Sequence, residues 1–200
     1  MTDVRSMHPS PPASRAAHAS SGPETGVELI RAIAFAAGKH RDQRRKGRAA
    51  SPYINHPIAL ARVLAVEAGI HDPLVLCSAV LHDTIEDTET TAAELANEFG
   101  PEVSAVVLEV TDDKTLEKHV RKRLQIEHAP HASRAAKLVK LADKICNLRD
   151  ILEDPPPDWS PARKLEYFDW AARVIDGLRG VHPRLEALFD AVLARKSELG

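Results

Sequence analysis

The apolar run Pro73-Leu-Val-Leu-Cys-Ser-Ala-Val-Leu81 reads as a buried element, and His82-Asp83-Thr84-Ile85-Glu86-Asp87 follows it directly. An imidazole and three carboxylates thus stand at the end of a segment that belongs inside a domain. Acidic groups in such a place are costly to desolvate unless a cation or a partner faces them. A divalent metal ion is the most economical compensation. An adjacent His-Asp pair is weak support by itself, so the rest of a ligand set has to be found elsewhere in the chain.

Two other segments supply it. Asn55-His56-Pro57 opens a helix, with Asn55 as its N-cap and Pro57 in the first turn, where backbone N–H groups have no helical partner. Downstream, Leu138 to Asp150 carries one apolar stripe through Leu138, Leu141, Ile145, Leu148 and Leu152. A second runs through Val139, Ala142 and Cys146. Lys140, Asp143 and Asn147 fall on the remaining arc, so Asp143 is expected to be buried or at the floor of a cleft in the middle of the domain. Singly, His56 also reads as a capping-region histidine and Asp143 as an ion-pair partner of Lys140 or Lys144. Together, His56, His82, Asp83 and Asp143 offer two nitrogen and two oxygen ligands from three helices. That set suits manganese, iron or zinc and disfavours a softer metal.

The surrounding sequence bounds the class. With 200 residues, 44% of them hydrophobic and 28% charged, the chain has the composition of one soluble globular domain. No stretch approaches the roughly 20 apolar residues that span a bilayer. The N-terminus lacks the apolar segment of a secretory signal. Cys77 and Cys146 sit in apolar runs and read as buried thiols, which with the missing signal points to a cytoplasmic protein. A net charge of −2 argues against a nucleic-acid partner.

Residues 1–23, rich in Ser, Pro, Ala and His, read as a disordered tail ahead of a domain over 24–200. From Val27 onward the pattern is all-α. A first amphipathic helix runs into the basic segment Lys39 to Arg48, itself read as helical. His56 to Ala68 forms a second helix, and Asp72 caps a third that ends near His82. Thr91 caps Ala92 to Phe99, Gly100 closes it, and Pro101 restarts the chain. Pro101 to Thr111, Leu116 to His128 and the two-striped helix follow. Pro155-Pro156-Pro157 then breaks the chain before Pro161 to Leu178 and Pro183 to Lys196.

Chemistry gathers around the metal set. Glu86 and Asp87, a few residues past Asp83, stand where carboxylates can take a proton from water whose pKa an ion has lowered. Lys39, Arg41, Arg44, Arg45, Lys46 and Arg48 put six cations into ten residues shortly before His56. Such a run is often a solvated face. Beside a hydrolytic metal it points to a polyanionic substrate, most naturally phosphate or pyrophosphate. Tyr53, in the approach to His56, is either a base- or sugar-contacting ring or part of the core.

These residues carry a resemblance. The order His…His-Asp…Asp resembles the HD-domain metal-dependent phosphohydrolases. Arg44-Arg45-Lys46, Tyr53-Ile54-Asn55-His56-Pro57, Leu81 to Thr88, Thr111-Asp112-Asp113-Lys114 and Lys140 to Lys144 with Asn147 look like the hydrolase domain of the RelA/SpoT proteins, closest to the stand-alone metazoan SpoT homologue type. The resemblance implies a single helical HD domain and removal of the 3′-pyrophosphate from guanosine tetra- or pentaphosphate (ppGpp or pppGpp). The products would be GDP or GTP plus pyrophosphate. It implies manganese on His56, His82, Asp83 and Asp143, Glu86 and Asp87 as catalytic acids that orient and activate water, and Arg45, Lys46 and Asn147 as substrate contacts. Cys146 stands where the family usually has an aromatic or larger residue. The chain ends where long members continue into a synthetase domain, so synthesis of the alarmone is not expected. An HD-type phosphatase acting on another phosphorylated nucleotide such as NADPH, and a non-catalytic nucleotide-binding module, are the competing readings.

Overall fold

The computed structural model describes residues 23–199, which fold as helices with no strand among them. The tail expected over 1–23 lies almost wholly outside the described residues. No helix among them is long and apolar enough to cross a membrane. Helix α1 spans Pro23–Lys39 and α2 spans Asn55–Arg62, which passes without a break into a π-helical turn at Val63–Ala68. Gly69, at φ 76°, ends that turn in the left-handed region that favours glycine. Helix α3 spans Pro73–Leu81, the single turn α4 spans Thr84–Asp87, and α5 and α6 span Ala92–Phe99 and Pro101–Val110. Helix α7 covers Lys118–His128, α8 Arg134–Glu153, α9 Pro161–Asp176 and α10 Pro183–Ala194.

The capping chemistry falls where the sequence put it in most cases. Asp72 accepts the amide of Leu74 at 2.9 Å and Thr91 that of Glu94 at 3.1 Å. Asn55 is different: Ile54 holds the cap position with helical dihedrals and no side-chain bond. The chain instead winds into α2 through a turn in which the His56 amide reaches the Tyr53 carbonyl at 2.9 Å. A turn already satisfies the first amides, so a capping side chain is not required there.

Two helices fix the interior. In α3, Val75 to Leu81 are all buried, and α1, α2, α6 and α8 surround it. In α8, Leu138, Val139, Leu141, Ala142, Ile145, Cys146 and Leu148 are buried, so both predicted stripes face core. The larger apolar cluster gathers α8 with α2, the π turn, α9 and α10, and the smaller one fills the space between α1, α3, α5 and α6. His82 and Asp143 ride on elements that cannot shift without opening this core.

The basic segment departs from expectation. Residues 40–54 are not helical but double back on themselves, with an isolated antiparallel bridge between Arg44 and Pro52. The Arg45 amide donates to the Ser51 carbonyl at 2.9 Å and the Tyr53 amide to Gln43 at 3.1 Å. Asp154, just past α8, accepts the amides of Arg48 and Ala49 at 2.8 and 3.2 Å. Gly47 makes this docking possible, because a Cβ there would lie 2.1 Å from an Asp154 carboxylate oxygen.

Candidate metal centre

The end of α3, the start of α2 and the middle of α8 bring three donors together. Ligand atoms of His56, His82 and Asp143 lie within 4.8 Å of one another. His56 Nε2 stands 3.2 Å from Asp143 Oδ1, and His82 Nε2 is 3.9 Å from the same oxygen. Asp83, at the N-cap of α4, places Oδ2 2.8 Å from His82 Nε2 and accepts the Tyr53 hydroxyl. All four predicted ligands therefore share one site. Asp83 stands at its edge, outside the mutually close trio.

The donor chemistry fits a divalent cation. His82 donates its Nδ1–H to the Ala79 carbonyl at 2.9 Å, which orients the ring and leaves Nε2 facing the carboxylates. That Nε2 is buried and makes no well-directed hydrogen bond. Burial pushes the His82 imidazolium down, yet Asp83, Asp143 and the Ala79 carbonyl outweigh it and raise its pKa to about 9. Burial pushes the Asp143 carboxyl up, but Lys144 and the two histidines hold it well below the usual carboxylate range. Two carboxylates thus attract positive charge to the imidazole nitrogen, and a divalent ion bound there would displace the proton. His56, dominated by burial, is shifted downward and is the neutral imidazole a metal requires.

Asp143 is also the hub of a relay to the basic loop. Asn147 donates Nδ2 to Asp143 Oδ1 at 2.7 Å and accepts from Arg45 Nη2 at 3.0 Å. Arg45 is pinned further by Asp150 at 2.5 Å and lies over the Tyr53 ring. Lys144 donates to Asp143 Oδ2 at 2.8 Å, so the ion-pair alternative for Asp143 is realised together with its place in the metal trio. Lys46 is exposed and has no ion pair among the described residues. It lines two adjoining cavities. One, of about 460 Å³, holds His56, His82, Asp83, Glu86, Asp87 and Asp143 on its wall. The other, of about 1020 Å³, shares Arg45, Lys46, Tyr53, Asp87, Asn147 and Tyr167 with it and extends past Trp159 and Arg163.

The acidic pair stands on α4 beside the centre. Glu86 accepts the Asp112 amide at 3.0 Å. Its pKa is raised, first by burial and then by the carboxylates of Asp83, Asp112 and Asp87, against the pull of that amide. Asp87 pairs with Lys114, and its carbonyl accepts Gln43 Nε2 at 2.6 Å. The two carboxylates therefore differ in setting, one poised to hold a proton and the other tied to a cation. Lys140, Lys144, Arg121 and Gln125 also line the smaller cavity, and sequence reasoning gave them no site role. Lys140 lay on the same helical arc as Asp143 and was the one available signal. Arg121 and Gln125 come from α7, whose sequence carries no motif.

Comparison with known proteins agrees with this geometry. Residues 32–168 match the model of the HD domain. The human guanosine-3′,5′-bis(diphosphate) 3′-pyrophosphohydrolase MESH1 is 58% identical over 160 residues, which span 80% of this chain and 89% of the human one. The Drosophila melanogaster protein of that name is 46% identical over 173 residues, spanning 86% and 97%. A solved structure of a metazoan ortholog of SpoT, described as hydrolyzing ppGpp and acting in starvation responses, superposes with a TM-score of 0.83 at 45% identity. It covers 88% of this chain and 98% of its own. On the match over residues 32–168 and on these relatives, the chain belongs to the HD-domain family.

Proposed function

We propose that this protein is a metal-dependent guanosine-3′,5′-bis(diphosphate) 3′-pyrophosphohydrolase that converts ppGpp and pppGpp to GDP and GTP with release of pyrophosphate. The observation that carries the reading is one cavity wall holding a His/His/Asp trio, a carboxylate pair and a basic loop, in a chain more than half identical to a relative of that name. His56, His82, Asp83 and Asp143 would hold the metal, with Mn²⁺ the ion the family resemblance implies. A divalent ion there supplies Lewis acidity toward phosphoryl oxygen and water.

The chain's own groups account for the rest. Water adds to the phosphorus attached to the ribose 3′-oxygen, and the bond between that phosphorus and the 3′-oxygen breaks. Glu86, with its raised pKa, takes the proton lost by water, and Asp87 orients the attacking molecule. The departing 3′-oxygen gains a proton and becomes the hydroxyl of GDP or GTP. Arg45 and Lys46 face the phosphates, and Asn147 links Arg45 to Asp143, so substrate charge and metal charge are held in register. Both cysteines are buried free thiols, which supports a cytoplasmic setting.

A second reading, removal of a ribose phosphate from NADPH, draws on the size of the adjoining cavity. At about 1020 Å³ and lined by Trp159, Tyr167 and Arg163, it has room for a second nucleotide half. Incubation with guanosine tetraphosphate and, separately, with NADPH, each with Mn²⁺, distinguishes the two by ion-exchange chromatography. GDP and pyrophosphate as the main products support the proposal. Turnover of NADPH alone, or of neither, overturns it.

A further inference from the structure

The smaller cavity continues past the metal trio to a polar wall that the proposed reaction does not use. Lys140 forms the centre of that wall. It is 7% exposed, and its ammonium makes one hydrogen bond among the described residues, a long one of 3.3 Å to the Val110 carbonyl. An ammonium has three protons to donate, and a buried one left so poorly satisfied is costly. Arg121 Nε and Gln125 Oε1, from α7, are buried on the same wall and have no partner. The Arg121 guanidinium approaches only Glu86, at 3.9 Å. Gln125 holds its amide nitrogen on Asp112 at 2.7 Å, which fixes the carbonyl end in place. The wall thus presents two underused cations and one free acceptor beside the metal centre.

We infer that Lys140, Arg121 and Gln125 form an inner subsite for the far phosphate of the leaving pyrophosphate. The inference rests on the proposed hydrolysis, because only a 3′-pyrophosphate carries a second phosphoryl group beyond the reacting one. Lys140 and Arg121 Nε donate to its oxygens. Gln125 Oε1 accepts from the proton that pyrophosphate retains near neutral pH, which inorganic phosphate can also offer but without reaching the metal at the same time. Charge-assisted bonds of this kind are the strong class. Holding the far phosphate at a fixed cationic wall also keeps the reacting phosphorus in line between the attacking water and the departing 3′-oxygen.

The test is calorimetric titration of inorganic pyrophosphate and of inorganic phosphate into the full chain loaded with one equivalent of Mn²⁺. Wild type, Lys140→Met and Arg121→Gln are compared, with thermal melting as a check on folding. Methionine keeps the length of Lys140 and removes a buried charge, so that variant should fold. Wild type should bind pyrophosphate at least tenfold more tightly than phosphate, and each variant should lose at least tenfold in pyrophosphate affinity. Equal pyrophosphate affinity in wild type and both folded variants, or no binding by wild type, overturns the subsite. Hydrolysis of guanosine tetraphosphate is assayed in parallel. If it proceeds without anion binding at this wall, only the subsite fails. If pyrophosphate binds as expected and no GDP forms, the reaction proposed above fails instead.

Discussion

Replacing Asp143 by asparagine should unfold the protein more readily as well as empty its metal centre, and the structure gives the size of the effect. Asp143 oxygens face His56, Asn147 and the Lys144 ammonium. An amide has one acceptor oxygen for these contacts, and it carries no charge to offset Lys144. The Lys144 side chain is 5% exposed and lies over the Trp170 ring at 4.8 Å, so it has no easy route to water. Stranding one partner of a buried ion pair costs about 3–5 kcal/mol. For a chain of this size that corresponds to a fall in Tm of roughly 6–20 °C. The comparison belongs in chelator, so that lost metal binding does not add to it. Because the Asp143 carboxyl is held well below its ordinary range, its contribution is complete above about pH 5 and is lost as pH falls toward the folded value. The gap in Tm between wild type and variant should therefore narrow on acidification. The double variant Asp143→Asn/Lys144→Met removes the stranded ammonium and should recover most of the stability without recovering bound manganese. Differential scanning calorimetry and elemental analysis read both quantities. A single variant that melts within 2 °C of wild type and keeps its metal refutes the reasoning, and so does a double variant no more stable than the single one.

Glu86→Gln should lower kcat on guanosine tetraphosphate by about 10²–10⁴-fold while leaving KM and metal content near wild type. In the wild type the acid limb of kcat against pH should be displaced upward from where an ordinary glutamate would put it, since activity is lost as a base of raised pKa gains its proton; that limb should vanish in the variant. Lys46→Ala should weaken turnover and make the remainder less sensitive to salt, because a screened attraction has gone. Arg41→Ala is the control, its side chain being 78% exposed and paired only with Asp42, and equal indifference of both variants would leave the loop without a substrate role. Gly47→Ala should raise KM with metal content unchanged, since the new methyl must push the loop off Asp154 and carry Arg45 and Lys46 with it; an unchanged KM would mean that this docking does not position them.

The sequence made α8 legible because two apolar stripes leave only one arc, and both stripes did find core. The same logic located α3, whose uniform apolarity allows no solvent face. It also put His82 and Asp143 in the interior, where the structure brings them to a common centre with His56. The basic segment is not the helix its sequence predicts, for a physical reason. Charge alone sets no period, and the fold of residues 40–54 depends on Asp154 and Asn147, about a hundred residues away. Nor did any local signal mark α7 and α9 as cavity walls. Arg121, Gln125, Tyr167 and Trp170 reach the cavity by the way these helices pack, and packing partners are not written in one helix's own periodicity.

The buried charges around Asp143 explain why this site resists being read as an ordinary ion-pair network. A network built for stability would close its charges pairwise and leave no donor unsatisfied. Lys144 with Asp143, and Arg45 with Asp150, do so. Lys140 and Arg121 Nε do not, and His82 Nε2, though 2.8 Å from Asp83, makes no well-directed hydrogen bond; all three open on the same cavity. The unmet demand has two signs: an imidazole nitrogen beside carboxylates calls for a cation, and an ammonium with a guanidinium nitrogen calls for an anion. A divalent metal ion alone would satisfy the first and leave the second. A phosphorylated substrate alone would meet the second and be repelled by Asp83, Glu86 and Asp143. Only the two together neutralise the cavity, so metal and pyrophosphate should each raise the affinity of the folded protein for the other. Cooperative binding of Mn²⁺ and a non-hydrolysable 3′-pyrophosphate analogue, measured by titration of each in the presence and absence of the other, would bear this out, and independent binding would refute it.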